Sequence, residues 1–246
     1  MRVVIAPDKF AGTLSAVEAA AAIADGWSRR APGDELVQVP MSDGGPGFVD
    51  VLHAALGGEL QAVTVDDPYG APVPAAVLRV GDTAYLECAQ AVGLHLTPPA
   101  ERRPEAGSTR GLGQLLAAAI EGGARRVVVG LGGSATNDAG AGLLAALGAT
   151  AGSGSLVEGA GGLAEVADVD VSAALAAVEG VELVVASDVD NPLLGPRGAA
   201  AAGPGRTAWC GAPARARRAR RSATRRRTCR RPARRTRPRR TPRAPR

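Results

Sequence analysis

Along the first 198 residues, short apolar runs alternate with longer amphipathic segments. Residues 3–6, Val-Val-Ile-Ala, read as a buried strand. Ser15 followed three residues later by Glu18 is a capping-box pair, and it predicts a helix from there to about residue 29. Residues 35–40 read as a second strand and 47–55 as a helix. The runs 60–65, 73–80 and 83–88 read as three strands of a more antiparallel region. A helix over 109–121, a strand over 126–131, a glycine-rich loop, a helix over 137–147 and a last strand over 181–186 follow. Strand–helix alternation of this kind predicts an α/β fold with a mostly parallel sheet and helices on its faces. Ligands on such sheets sit beyond the carboxyl ends of the strands.

The pattern stops at about residue 198. Residues 199–246 contain 18 Arg, no Lys, Asp or Glu, and no Val, Ile, Leu, Met or Phe. The preceding 198 residues hold 11 basic side chains and all 24 acidic ones, a formal charge of −13 against +18 for the tail. The overall charge of +5 therefore averages two unlike segments and says nothing about function. A segment whose aliphatic side chains are no larger than Ala and Pro cannot bury enough apolar area to offset its conformational entropy, so the tail is expected to be disordered. It reads either as an arginine-rich nucleic-acid arm or as an out-of-frame translation. We expect the second. The head uses ten Arg to one Lys and is rich in Ala and Gly, which implies GC-rich codons. In such a gene Asp-Ala written GAC-GCC becomes Arg-Arg when read one base off. The domain boundaries expected are thus 1–198 for the catalytic region and 199–246 for the tail.

The rest of the composition is that of a soluble protein. The apolar run after Arg2 is too short for a secretory signal. No apolar stretch approaches the roughly 20 residues of a membrane span. Cys88 is the single cysteine of the head, so neither a disulfide framework nor a cysteine metal cluster is expected, and a cytoplasmic location fits. Aromatics are few, which argues against base-stacking platforms for nucleic acid. His53 and His95 have no partner at ligand spacing and read as structural.

Four polar clusters fall at strand ends. The first contains Asp8 and Lys9, directly after strand one. Lys9 is the only lysine in a chain that uses Arg at every other basic position, which marks it as a place where arginine does not serve. A compact ammonium can bridge phosphate oxygens as a point charge; the plainer reading is a loop lysine paired with Asp8. The second, Ser42-Asp43-Gly44-Gly45-Pro46-Gly47, offers amides to an anion and a carboxylate to a metal or a substrate hydroxyl, or is a tight turn capped by Asp43. The third runs through Gly130, Gly132, Gly133, Ser134, Thr136, Asn137 and Asp138 into a helix, the arrangement of a phosphate cradle. It lacks the Gly-Lys-Ser/Thr ending of a Walker A loop but matches G-x-G-x-x-A, so a dinucleotide-dependent enzyme is a rival reading. The fourth, with Asp188, Asp190 and Asn191, places two carboxylates one residue apart, suited to Mg²⁺ or general-base work, or to a turn before Pro192.

In order and spacing these segments together resemble the bacterial glycerate kinase family of type I. The matching stretches are residues 3–8, 40–45, 130–142 and 187–196. The resemblance implies a two-lobed α/β fold, one lobe Rossmann-like and a second smaller one, with the active site between them. It implies ATP-dependent phosphorylation of D-glycerate with Mg²⁺, favouring 2-phosphoglycerate. On that reading Lys9, Asp8, Asp188 and Asp190 are catalytic, with Asp188 and Asp190 on the metal. Asp43, Gly44, Gly45, Gly132, Gly133, Ser134, Thr136, Asn137, Asp138 and Asn191 then bind substrate or phosphate. The expected partner is a small molecule, with neither a membrane nor a specific nucleic acid; the tail would bind polyanions non-specifically. Two departures stand out. Many members have Lys where this chain has Ala11, and members continue well beyond residue 246. The fold is therefore expected to be incomplete at the C-terminus and this chain to be inactive.

Overall fold

The computed structural model describes residues 1–188; Asp190, Asn191 and the 199–246 tail lie outside the described residues. In chain order the elements are β1 (Arg2–Ile5), α1 (Ala16–Arg30), β2 (Glu35–Gln38), α2 (Phe48–Leu56), β3 (Glu59–Asp66), β4 (Pro72–Val80), β5 (Thr83–Glu87), α3 (Cys88–Val92), α4 (Arg110–Glu121), β6 (Arg126–Gly130), α5 (Ala141–Ala146), β7 (Thr150–Ala151), α6 (Gly159–Gly162), β8 (Val169–Asp170), α7 (Ser172–Ala177) and β9 (Glu182–Ala186).

The expected α/β class holds. The main sheet has the order β3-β4-β5-β6-β9. It is parallel where helices make the crossovers, at β5–β6 and β6–β9, and antiparallel through the β3-β4-β5 meander. A smaller parallel pair, β1–β2, is closed by α1. The β7–β8 ribbon is antiparallel.

Local sequence explains most boundaries. Ser15 accepts from the Glu18 amide while Glu18 accepts from the Ser15 amide, so both partners of the predicted capping box are made and α1 starts where expected. The buried stripe Ala16, Ala19, Ala20 and Ala24 lets α1 approach Ile5 closely. On one face of the main sheet Leu86, Val127 and Val129 pack against Leu112, Leu115 and Leu116 of α4. On the other, Leu78 and Val128 pack against Phe48 and Val49 of α2. The alternation Val127–Val128–Val129 thus serves two cores, as expected of a strand covered on both sides.

Three expectations change. Residues 3–6 are not uniformly buried: Ile5 is 5% exposed and Val4 61%, because α1 covers one face of a pair only. The last strand is likewise open, with Leu183 and Val185 at 46% and 61%. The helix predicted from residue 137 begins only at Ala141, after Ala139 and Gly140 take left-handed φ values of 54° and 81°. The carboxylate of Asp138 draws the chain into a tight turn there instead of a first helical turn.

Candidate functional site

Strands β1, β2, β5, β6 and β9 deliver their carboxyl ends to a common region, and glycine is what lets the loops meet. Gly44 has φ +87°, and a Cβ there would stand 2.6 Å from the Ala186 carbonyl oxygen and 3.4 Å from the Leu131 amide. A Cβ on Gly130 would lie 2.7 Å from the Gly44 carbonyl, and one on Gly132 2.6 Å from Gly45 Cα. The second and third clusters of the sequence are therefore in van der Waals contact, with the end of β9 against both. Asp188 follows that junction by two residues and is exposed. A close-approach role for glycine replaces the anion role for the Gly44 and Gly45 amides: Gly44 N–H donates to Ser42 Oγ and Gly45 N–H to Asp43 Oδ1.

Lys9 reaches this junction from β1. Its Nζ donates to Asp43 Oδ1 at 3.1 Å and lies 3.7 Å from Asp8 Oδ1. Partial burial pulls the ammonium pKa down, but the bond to Asp43 and the charges of Asp43 and Asp8 outweigh it and leave the pKa above its ordinary value. The Asp43 carboxyl is held below its ordinary value, first by the Gly45 amide and then by Lys9, against its own desolvation. Both groups are thus charged at neutral pH. A cavity of about 270 Å³ opens beside them, lined by Lys9, Gly12, Ser15, Ser42, Gly47 and Asp50. It is smaller than the roughly 300–1,000 Å³ of drug-sized sites and suits a small polar molecule.

The third cluster divides. Ala135 N–H is bonded to Val92 O, and Gly132 N–H to Cys88 Sγ. The Gly133 and Ser134 amides have no protein acceptor among the described residues and sit on exposed positions. Thr136 lies against Gly107, and Asn137 is half-buried on the same loop. Asp138 is buried at 1% exposure, and its carboxylate accepts from the Thr109 amide and hydroxyl and the Gly140 and Gly142 amides. Those four bonds give Asp138 a structural duty, fixing the turn that ends the loop. Replacing it with Ala should strand buried donors and cost at least about 3 kcal/mol, read as a fall in Tm. An unchanged melt would remove that duty.

One functional group escapes sequence reasoning. Glu87, at the end of β5, is 4% exposed, and its Oε2 accepts from the Gly47 and Val49 amides at 3.0 and 3.3 Å. It caps α2 from some 40 residues away and so anchors the loop that carries Asp43; no local pattern announces it. Burial is the main influence on its carboxyl and raises its pKa, with Asp50 adding to the rise and the backbone amides opposing it. A folded-state pKa above the unfolded one means stability present at acid pH and lost as pH rises through the folded value. Glu87→Gln removes that loss, so its Tm should improve relative to the parent chain as pH rises above the ordinary glutamate range. A Tm difference that stays flat through that rise would contradict the assignment. The neighbouring Cys88 thiol is also pushed up, chiefly by burial, while contacts to Ser134 Oγ and Gly132 oppose the rise. It is a packed thiol, not a poised nucleophile.

Among the described residues no three His, Cys, Asp or Glu side chains converge as a metal cage. Among the described residues no helix is long and apolar enough to cross a membrane.

Comparison with known proteins adds to this geometry. Residues 3–204 match the family model described as the Glycerate kinase family. The chain is 46% identical over 206 residues to the glycerate kinase of Bacillus subtilis, covering 82% of this chain and 54% of that one. It is 41% identical over 204 residues to the glycerate 2-kinase of Escherichia coli, covering 81% and 54%. The crystal structure of a putative glycerate kinase 2 from Salmonella typhimurium superposes with a TM-score of 0.71 at 38% identity, over 82% of this chain and 56% of that one. The chain spans about half the length of these relatives.

Proposed function

The chain belongs to the glycerate kinase family, and from that premise we propose that its site serves the ATP-dependent phosphorylation of D-glycerate to 2-phosphoglycerate. The observation that carries the reading is the junction itself: a charged Lys9–Asp43 pair beside a small cavity, with the glycine-rich loop in contact. Phosphoryl transfer asks a protein for positioning and charge stabilisation more than for covalent chemistry. The substrate hydroxyl oxygen bonds to the γ-phosphorus in line as the bond to the β,γ-bridging oxygen breaks, ADP leaves, and the hydroxyl proton passes to solvent. Lys9 stabilises the negative charge on the phosphoryl oxygens, and the Gly133 and Ser134 amides hold phosphate or the glycerate carboxylate. Asp43 keeps the ammonium oriented and accepts a hydrogen bond from a substrate hydroxyl. Asp188 and Asp190 are the residues that would hold Mg²⁺, which when bound neutralises phosphate charge.

We propose further that the 246-residue chain does not turn over by itself and works from the cytoplasm only as part of a longer polypeptide. Leu183 and Val185 are 46% and 61% exposed on β9, a strand of the main sheet, and the 199–246 sequence holds 18 Arg and no Val, Ile, Leu, Met or Phe to supply a covering core. Shifting the reading frame near codons 199–203 should give an acidic, aliphatic continuation, called here the frame-restored enzyme. Its product from D-glycerate and ATP, examined by NMR, should carry phosphate on C2. Asp188→Asn or Asp190→Asn should weaken its Mg²⁺ dependence or abolish turnover, with little loss of folding. Phosphate on C3, or both variants fully active at limiting Mg²⁺, would overturn the respective assignment.

A further inference from the structure

A second cavity, of about 510 Å³, is lined by Asp67, Tyr69, Leu96, Thr97, Glu101 and Arg103, and the roles assigned above leave it unused. Its chemistry is specific. The Arg103 guanidinium stands over the Tyr69 ring, 5.0 Å from the centroid, and the Arg103 amide donates to Tyr69 Oη at 2.8 Å. Among the described residues this guanidinium has no ion-pair partner, so its outer face is available. Thr97 is 6% exposed, and its Oγ1 is buried without a hydrogen-bond partner. Asp67 Oδ1 is occupied by the Tyr69 and Ala71 amides at 2.8 Å, which fixes the carboxylate with one oxygen to spare.

The wall of this cavity is tied to the glycine-rich loop. Leu94 N–H donates to Gly133 O at 2.8 Å, and Arg102 holds the carbonyls of Leu94 and Thr97 at 2.8 and 3.0 Å. Leu94–Leu96 is a single 3₁₀ turn, and at roughly 2 Å of rise per residue it separates loop and cavity by less than the length of a nucleotide.

We propose that this cavity receives the adenine base of the nucleotide, with its phosphates running to Gly133 and Ser134; the proposal rests on the ATP reading above. The base stacks on the Arg103–Tyr69 pair, a guanidinium face being a good platform for a purine. Its exocyclic amine donates to the spare oxygen of Asp67 or to Glu101.

Titration calorimetry on the purified 246-residue chain tests this, using ADP and inorganic tripolyphosphate against the parent and Arg103→Ala. Arg103 is exposed, and a melt confirms that the variant folds. ADP should bind at least tenfold more weakly to Arg103→Ala than to the parent, and tripolyphosphate within threefold of the parent. Undiminished ADP binding by Arg103→Ala would overturn the base site while leaving the nucleotide reading in place. Binding of neither ADP nor tripolyphosphate by the parent would overturn both.

Discussion

Exchanging Lys9 for arginine in the frame-restored enzyme should lower turnover at least tenfold, a loss of about 1.4 kcal/mol of transition-state stabilisation. The charge survives this substitution, so the loss isolates shape. The ammonium of Lys9 sits 3.1 Å from Asp43 with a side chain only 21% exposed, at the edge of the cavity, and a planar guanidinium does not reproduce its compact point charge. The chain itself points the same way, since arginine occupies every other basic position. Unchanged kcat and KM would return Lys9 to the status of a loop residue.

The second large effect is on stability. Gly44→Ala forces a left-handed residue to carry a Cβ 2.6 Å from the Ala186 carbonyl, which cannot move without disturbing the β6–β9 pairing. Gly47 has a similar φ of +93° but open space around it. Gly47→Ala therefore carries only the backbone penalty, about 1 kcal/mol. Gly44→Ala adds the clash and should cost at least about 2 kcal/mol more, a Tm roughly 4–8 °C below that of Gly47→Ala. Equal melting temperatures would show that the two loops and β9 are not in the contact described.

Much of this was legible locally. The capping box at Ser15 and Glu18, the β3-β4-β5 meander and the strand–loop sequence at 126–133 are written in neighbouring residues, and all appear in the structure. The uniqueness of Lys9 and the glycine runs at 44–45 and 132–133 marked positions that the fold brings together. What was hidden depends on contacts far apart in sequence. Glu87 takes its meaning from amides about 40 residues away. Asp138 looks like part of a helix-opening cradle, yet Thr109 and the Gly140 turn claim its carboxylate. The Gly44 and Gly45 amides look available until Ser42 and Asp43 are seen to satisfy them. The exposure of Val4 and Val185 follows from which faces the helices cover, and an apolar run cannot tell one covered face from two.

The central proposal is that residues 1–198 carry part of the phosphate-transfer machinery of a glycerate kinase and need the family's further length to express it. Transfer of labelled γ-phosphate from ATP to D-glycerate, measured side by side for the 246-residue chain and the frame-restored enzyme, addresses this directly. The second should form labelled phosphoglycerate at an ordinary kinase rate, roughly 1–100 per second, and the first should form none. Labelled product from the 246-residue chain at such a rate, or none from the frame-restored enzyme, would contradict it.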